Sequence, residues 1–243
     1  MIAVIIQARM GSTRLPGKVM KNLYGKSVLA HDIERVYQAK LIEEIIIATT
    51  TDSSDDCIVA EAEKCGAKIF RGSESDVLSR YYFAAKEFGA DTIVRVTSDC
   101  PLIDPHVLDE VVRYYLDNDY DIVTNAGVDL SQRTYPRGLD VEVFSYRALE
   151  RAHKHATKEY QREHVTPFLY ENGSVSIYKN TVDYSCYRWT LDTDEDWRLI
   201  KEIYLHLYHG EHNFYLAQIV EVMEKNPELY DINKNIEQKK LGD

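Results

Sequence analysis

The pattern that most limits how this chain can fold is an alternation running through its first half. Short apolar runs occur at 2–8 (IAVIIQA), 43–50 (EEIIIATT), 67–72 (AKIFRG), 90–99 (ADTIVRVTSD) and 120–126 (YDIVTNA). Between them lie segments with helical spacing at 27–39, 55–66, 76–89 and 104–119. Leu29, Ile33, Val36 and Tyr37 fall on one helical stripe. Glycines close the segments 55–66 and 76–89, and Asp104 followed by Pro105 opens 104–119 as an N-cap and first helical residue. Apolar strands alternating with helices predict an α/β domain with a mostly parallel sheet covered on both faces. Sheets of that kind bind ligands at the carboxyl ends of their strands.

After about residue 127 the pattern changes. The segments 139–145, 175–180 and 186–192 alternate as half-exposed strands do, with helices expected at 145–155 and 158–171. This predicts a second half that completes the sheet and adds a small antiparallel lobe at about 127–190. Residues 195–225 read as helical, and the polar last 17 residues are expected to be partly disordered. With no repeat and no linker, residues 1–243 read as one domain, long enough for one sizeable core.

A formal net charge of −11 argues against nucleic acid as a partner. No apolar run reaches membrane-spanning length, and the start lacks a basic segment and a cleavage site. Cys57, Cys65, Cys100 and Cys186 show no metal-finger spacing and read as buried thiols of a cytoplasmic protein. The 18 tyrosines have no role readable from the sequence.

Against that acidic background the loop after the first strand is anomalous. Arg9, Gly11, Ser12, Thr13, Arg14, Gly17 and Lys18 crowd three cations, two glycines and two hydroxyls into ten residues. Glycines let backbone amides approach an anion closely, and Arg and Lys neutralise it, so the loop suits a triphosphate. A surface loop with dispersed charge is the plainer alternative. Neither common glycine loop fits. Five residues separate Gly11 from Gly17, Pro16 intervenes and Val19 follows Lys18, which departs from the P-loop, and GxGxxG is absent.

Two carboxylates end separate strands. Asp99 follows IVRVTS, and Asp192 ends RWTLD just before a helix start. Convergent carboxylates suit Mg²⁺, which takes oxygen ligands shared with substrate phosphates. Asp192 would equally serve as a helix cap. Asp194 and Asp196 read as first-turn residues that complement the helix dipole, with Asp194 a reserve ligand. Asp140 and Glu142, two apart on an expected strand, should face the same way. His164 is a substrate contact or a satisfied core histidine. Arg80 is a cleft residue or a solvated helix residue. Arg188, leading to Asp192, could meet an acidic ligand's carboxylate.

The segment QARMGSTRLPGKVMKNLYGKSVLAHDIERV resembles the signature loop of cytidylyltransferases that make CMP-activated acidic sugars, such as the CMP-3-deoxy-manno-octulosonate and CMP-sialic acid synthetases. The likeness is strongest to the spore coat polysaccharide biosynthesis protein F branch. It continues through VRVTSDCPLIDP, YPRGLDVEVFS, REHVTPFLYENG and RWTLDTDEDW. The resemblance implies a Rossmann-like nucleotidyltransferase fold and an enzyme using CTP, an acidic sugar and Mg²⁺ held by Asp99 and Asp192. It implies a homodimer through the lobe at about 145–185. Candidate nucleotide contacts are Ala8, Arg9, Gly11, Ser12, Thr13, Arg14, Lys18, Arg71 and Ser98, with Arg9, Lys18 and Asp99 catalytic. Arg71 matches an arginine that contacts cytosine in sialic acid relatives, although SDVLSR stands here in place of an SGTD-type segment. Candidate acceptor contacts are Arg137, Asp140, Glu142, His164 and Arg188. The alternatives are a nucleotidyltransferase with another nucleotide or a non-sugar acceptor, a glycosyltransferase using DTD at 192–194, and a non-catalytic nucleotide-binding module.

Overall fold

The computed structural model describes residues 1–12, 14–127 and 129–237. In chain order its elements are β1 (Ile2–Gln7), the hairpin β2 (Asn22–Leu23) and β3 (Lys26–Ser27), α1 (Val28–Val36), β4 (Glu44–Thr50), α2 (Asp56–Lys64), β5 (Lys68–Gly72), α3 (Val77–Phe88) and β6 (Thr92–Thr97). Then come α4 (Pro105–Leu116), β7 (Ile122–Thr124), β8 (Glu142–Ser145), α5 (Tyr146–His155), α6 (Glu159–His164), α7 (Pro167–Asn172) and β9 (Val175–Ile177). Three helices follow: α8 (Asp194–Leu207), α9 (Leu216–Lys225) and α10 (Glu228–Asp231).

Seven strands form one sheet in the order β5-β4-β1-β6-β8-β7-β9. Only β8 runs against its neighbours β6 and β7. The apolar alternation decides which face each residue serves. On β1, Val4 and Ile6 join one core with Val94, Val96 and residues of α1, α4 and α8. Ala3 and Ile5 join the other with Ile46, Ile93 and residues of α3 and α5. Both faces of the central strands are thereby dry, as their unbroken apolar runs require.

The chain leaves β1, builds outward to β4 and β5, then returns to place β6 on the other side of β1. The strand order therefore reverses between β1 and β6, and the crevice beyond their carboxyl ends is the expected ligand position. The basic loop follows β1 there, and Asp99 follows β6.

The expected mostly parallel α/β sheet is present, with a two-stranded antiparallel sheet at β2–β3. The strands of the second half join the main sheet, β8 antiparallel to its neighbours, and the separate two-stranded piece lies in the first half. The segment 186–192 is not a sheet strand: a single bridge joins Arg137 and Arg188. Its period-two pattern arises from an extended backbone that sends Trp189 and Leu191 into the core while Arg188 and Asp192 turn elsewhere. The helix expected at 158–171 breaks into α6 and α7 at Val165, whose φ of 71° and ψ of −58° form a γ-turn closed by Thr166 N–H to His164 O at 2.8 Å. Part of the carboxyl-terminal tail is ordered, with Leu229 and Asn233 buried; residues 238–243 lie outside the described residues. Cys57 and Cys186 are exposed rather than buried, since they sit on the first turn of α2 and in the irregular segment before Arg188. No helix among the described residues is long and apolar enough to cross a membrane.

One glycine decides the path of 186–192. Gly138 has φ +96°, and a Cβ there would lie 2.6–2.7 Å from the backbone of Trp189 and Thr190. Arg137 exchanges backbone bonds with Tyr187 and Trp189 across this contact. Gly138→Ala should therefore destabilise the protein by at least about 2 kcal/mol, from left-handed strain and backbone overlap. Denaturant titration checks this, and unchanged stability would reject the close approach.

Candidate active site

The loop after β1 is held down before it can bind anything. Leu15 and Val19 are buried in the core beneath it. The Met10 amide donates to Asp55 Oδ1 at 2.7 Å, and Asp55 also accepts from Thr49 and Thr50 hydroxyls. Gly17 takes φ +65° where the chain turns into the short 3-10 turn at 18–20. That conformation costs glycine little and other residues more. The loop thus presents its side chains from a fixed base.

Lys18 is the junction of the site. Its Nζ lies 2.7 Å from Asp99 Oδ2 and 2.8 Å from Asp192 Oδ1. The second oxygen of Asp99 accepts from Thr97 Oγ1 at 2.6 Å. The second oxygen of Asp192 faces Arg14 Nη2 at 3.1 Å and Arg188 Nη2 at 3.0 Å. Burial opposes the charge on Asp99, but Lys18 and the hydroxyl of Thr97 more than offset it and bring its pKa down to about 2. Burial likewise works against the Lys18 ammonium, and the two carboxylates outweigh it, leaving its pKa raised.

Asp192 reaches this point because its backbone is tied to the end of β6. Leu191 N–H donates to Asp99 O at 2.8 Å. Thr193 is the cap of α8, in a capping box with Asp196, so Asp192 does not cap the helix. Asp196 instead accepts from the Asp192 and Thr193 amides at 3.0 and 3.1 Å and from Arg188 Nε at 2.9 Å. Asn233, from the tail, donates to Asp196 Oδ1 at 2.8 Å and to Arg188 O at 2.9 Å. Arg188 is therefore a buried clamp on two carboxylates. Asp194 is exposed on the first turn of α8.

Around this centre lies a cleft of about 320 Å³. Of the sequence candidates, Ala8, Arg9, Gly11, Ser12, Arg14, Lys18, Ser98, Asp99, His164 and Asp192 all contribute to its wall. Thr13 lies outside the described residues. Arg71 is not on the wall. Its guanidinium clamps the turn before α2, donating to Thr50 O, Asp52 O and Asp56 at 2.7–2.8 Å. Asp140 precedes β8 and pairs with Arg133 at 2.5 Å, while Glu142, inside β8, pairs with its cross-strand neighbour Arg95. The two acids thus have different partners, and only Glu142 lies within the strand. Arg137 is half-buried, its pKa lowered by burial and by the nearby Arg133. Among the described residues it has no ion pair.

The sequence leaves three features of the cleft open or unmarked. Gln7 and Glu163 contribute to the wall. Arg80 does too, and it is only 2% exposed, with Nε and Nη1 lacking hydrogen-bond partners. Burial lowers its pKa. A helical stripe would have marked Arg80 as inward-facing, since Val77, Tyr81 and Ala84 share that side. His164 is set in place by the γ-turn at Val165, and Thr166 behind it donates to Glu142 at 2.8 Å. A β-branched residue at positive φ is strained, and such strain gathers at functional sites. Burial lowers the pKa of His164, against the opposing pull of Glu163.

The donor set suits a hard divalent cation. Two carboxylates already converge on one cationic atom, and Mg²⁺ is characteristically held by one or two carboxylates plus phosphates and water. No cluster of three or more His, Cys, Asp or Glu able to hold a metal exists among the described residues. Phosphate oxygens would therefore complete the shell.

A switch-point crevice with a basic loop after one strand, a carboxylate after the next and a second carboxylate entering α8 suits the binding of a phosphate-bearing ligand. The comparisons with known proteins give the family of this chain. The cytidylyltransferase family model matches residues 3–237, and the chain belongs to that family. It is 40% identical over 240 residues to an uncharacterized protein of Methanocaldococcus jannaschii, covering 97% of this chain and 95% of the relative. It is 32% identical to the spore coat polysaccharide biosynthesis protein SpsF of Bacillus subtilis, covering 93% of this chain and 95% of the relative. A shorter match, 34% over 119 residues, is to the 3-deoxy-manno-octulosonate cytidylyltransferase of Geobacter sulfurreducens, covering 48% of this chain and 46% of that one. Among solved structures, a cytidylyltransferase from Leptospira borgpetersenii superposes with a TM-score of 0.89 at 36% identity, covering 98% of this chain and 99% of the other.

Two expectations follow from the geometry. Burying an unpartnered guanidinium is unfavourable, so Arg80→Met should leave the melting temperature equal or higher while weakening nucleotide binding about tenfold, or about 1.4 kcal/mol. Calorimetry against a nucleoside triphosphate measures both; unchanged affinity would assign Arg80 a packing role. Asn233→Ala removes two hydrogen bonds from the Arg188–Asp196 clamp and should destabilise by about 1–3 kcal/mol. Thermal unfolding tests it, and a neutral result would show that the tail does not support the site.

Proposed function

We propose that the protein is a Mg²⁺-dependent cytidylyltransferase that joins CTP to an acidic sugar, forming a CMP-sugar and releasing pyrophosphate. The observation that carries this reading is the meeting of Asp99 and Asp192 at Lys18, on the carboxyl side of β1 and β6. Family membership supplies the cytidylyl class. The polysaccharide and octulosonate relatives support a sugar acceptor.

In this reading the triphosphate lies along the loop of residues 8–18. Arg9, Arg14 and Lys18 offset its charge, and Ser12 offers a hydroxyl. Arg80 adds a further cation to the cleft lining. A hydroxyl of the acceptor attacks the α-phosphorus in line; the bond to the bridging oxygen breaks, and pyrophosphate departs with the charge that the loop cations neutralise. Mg²⁺ bound to Asp99 and Asp192 would polarise the phosphate oxygens and favour ionisation of the attacking hydroxyl. His164, on the cleft wall beside its strained turn, would hydrogen-bond the acceptor. Arg137, half-buried without an ion pair among the described residues, suits the acceptor's carboxylate.

Pyrophosphate release, measured for each of the four nucleoside triphosphates with a panel of acidic sugars and Mg²⁺, should be greatest with CTP. No release from any pair would remove the transferase reading. Asp99→Asn should lower kcat on the order of a hundredfold or more with the fold retained by circular dichroism. Turnover near that of the wild type would exclude Asp99 from the chemistry.

A further inference from the structure

The position a metal would take is filled by the protein itself. One ammonium bridges Asp99 Oδ2 and Asp192 Oδ1 at 2.7 and 2.8 Å. The remaining oxygens of the two carboxylates are engaged by Thr97, Arg14 and Arg188. These partners differ in how readily they can leave. Arg188 is locked by Asp196, and Thr97 belongs to β6. Lys18 and Arg14 stand on the loop and extend long side chains, 14% and 32% exposed, towards the cleft.

Charge counting sharpens the point. Asp99, Asp192 and Asp196 are met by Lys18, Arg14 and Arg188, three charges against three. A divalent cation placed against the same two oxygens would have Mg–O distances of about 2.0–2.1 Å and would lie within a few ångströms of the ammonium. Two cations cannot share that space in a poorly solvated cleft. A triphosphate changes the balance, because its oxygens give Lys18 and Arg14 another anion to pair with, while its own charge brings the metal.

We propose that Lys18 is a built-in counter-cation that excludes divalent metal from Asp99 and Asp192 in the nucleotide-free protein. The triphosphate draws it off, so that metal and nucleotide enter as a coupled pair. The inference rests on the reading of this cleft as a metal–triphosphate site. Because linkage is reciprocal, metal must raise nucleotide affinity by the same factor by which nucleotide raises metal affinity.

The test uses Mn²⁺ as the probe cation, with free Mn²⁺ counted by electron paramagnetic resonance. Without nucleotide, Lys18→Met should bind Mn²⁺ at least about tenfold more tightly than the wild type. Lys18→Arg, which keeps a cation, should remain weak. Adding Asp99→Asn to Lys18→Met should abolish the gained binding. Equal nucleotide-free affinity in the wild type and Lys18→Met, or a gain that survives Asp99→Asn, would overturn the proposal. Calorimetry on the wild type supplies an arm that does not depend on the folding of any variant. CTP should bind at least about tenfold more tightly with Mn²⁺ present than without it. Equal affinity in both conditions would overturn the coupling. No CTP binding in either condition would instead reject the assignment of the cleft, a result distinct from the nucleotide-free comparison.

Discussion

The ammonium of Lys18 between Asp99 and Asp192 joins three parts of the chain that are far apart in sequence. It connects the loop after β1, the end of β6 and the segment entering α8. Each carboxylate alone at this depth would carry a desolvation penalty, and the shared cation offsets it for both. The backbone bond from Leu191 to Asp99 O sets the spacing, and Gly138 allows the close approach that brings 186–192 there. The centre is thus an electrostatic knot tied by backbone contacts.

Support extends outward in layers. Arg188 holds Asp192 and Asp196, and Asn233 holds Arg188 and Asp196, so the tail reaches the centre through two hydrogen bonds. On the opposite wall, Glu142 gathers Arg95, Thr166 and Tyr170 beneath the γ-turn that carries His164. Asp55 secures the loop from below through Met10. These buried groups touch no substrate in the proposed reaction. They restrict where the groups that would touch it can stand, which is the condition for catalysis by positioning.

Much of the site was legible because strand ends are legible. Where an apolar run stops at a carboxylate before a capped helix, as at Asp99 and Asp104, the side chain has little choice but the crevice. The basic loop was equally plain, since its charges contrast with an acidic chain. Arg71 and Arg188 pair within the chain in a way the sequence does not show, because an arginine near a site looks alike in sequence whether it faces a ligand or a carboxylate of its own chain. Asp56 and Asp196 captured them. The strand expected at 186–192 failed because period two reports an extended backbone, not a hydrogen-bonded neighbour. Some tyrosines unexplained in the sequence prove to be struts, with Tyr81 donating to Ile5 O and Tyr204 to Pro101 O from within the core.

The sequence by itself determined the two-faced parallel sheet, the basic, glycine-punctuated loop at 9–18 and the strand-end carboxylate at 99. These follow from local periodicity, glycine placement and strand ends, which act over a few residues. Only the tertiary structure decided that Lys18 would pair with Asp99 and Asp192, that Arg80 would be buried with two nitrogens lacking a hydrogen bond among the described residues, and that His164 would stand on a strained turn. Each depends on groups brought together across long stretches of chain, in surroundings dry enough for charge and backbone strain to be settled by neighbours rather than by water.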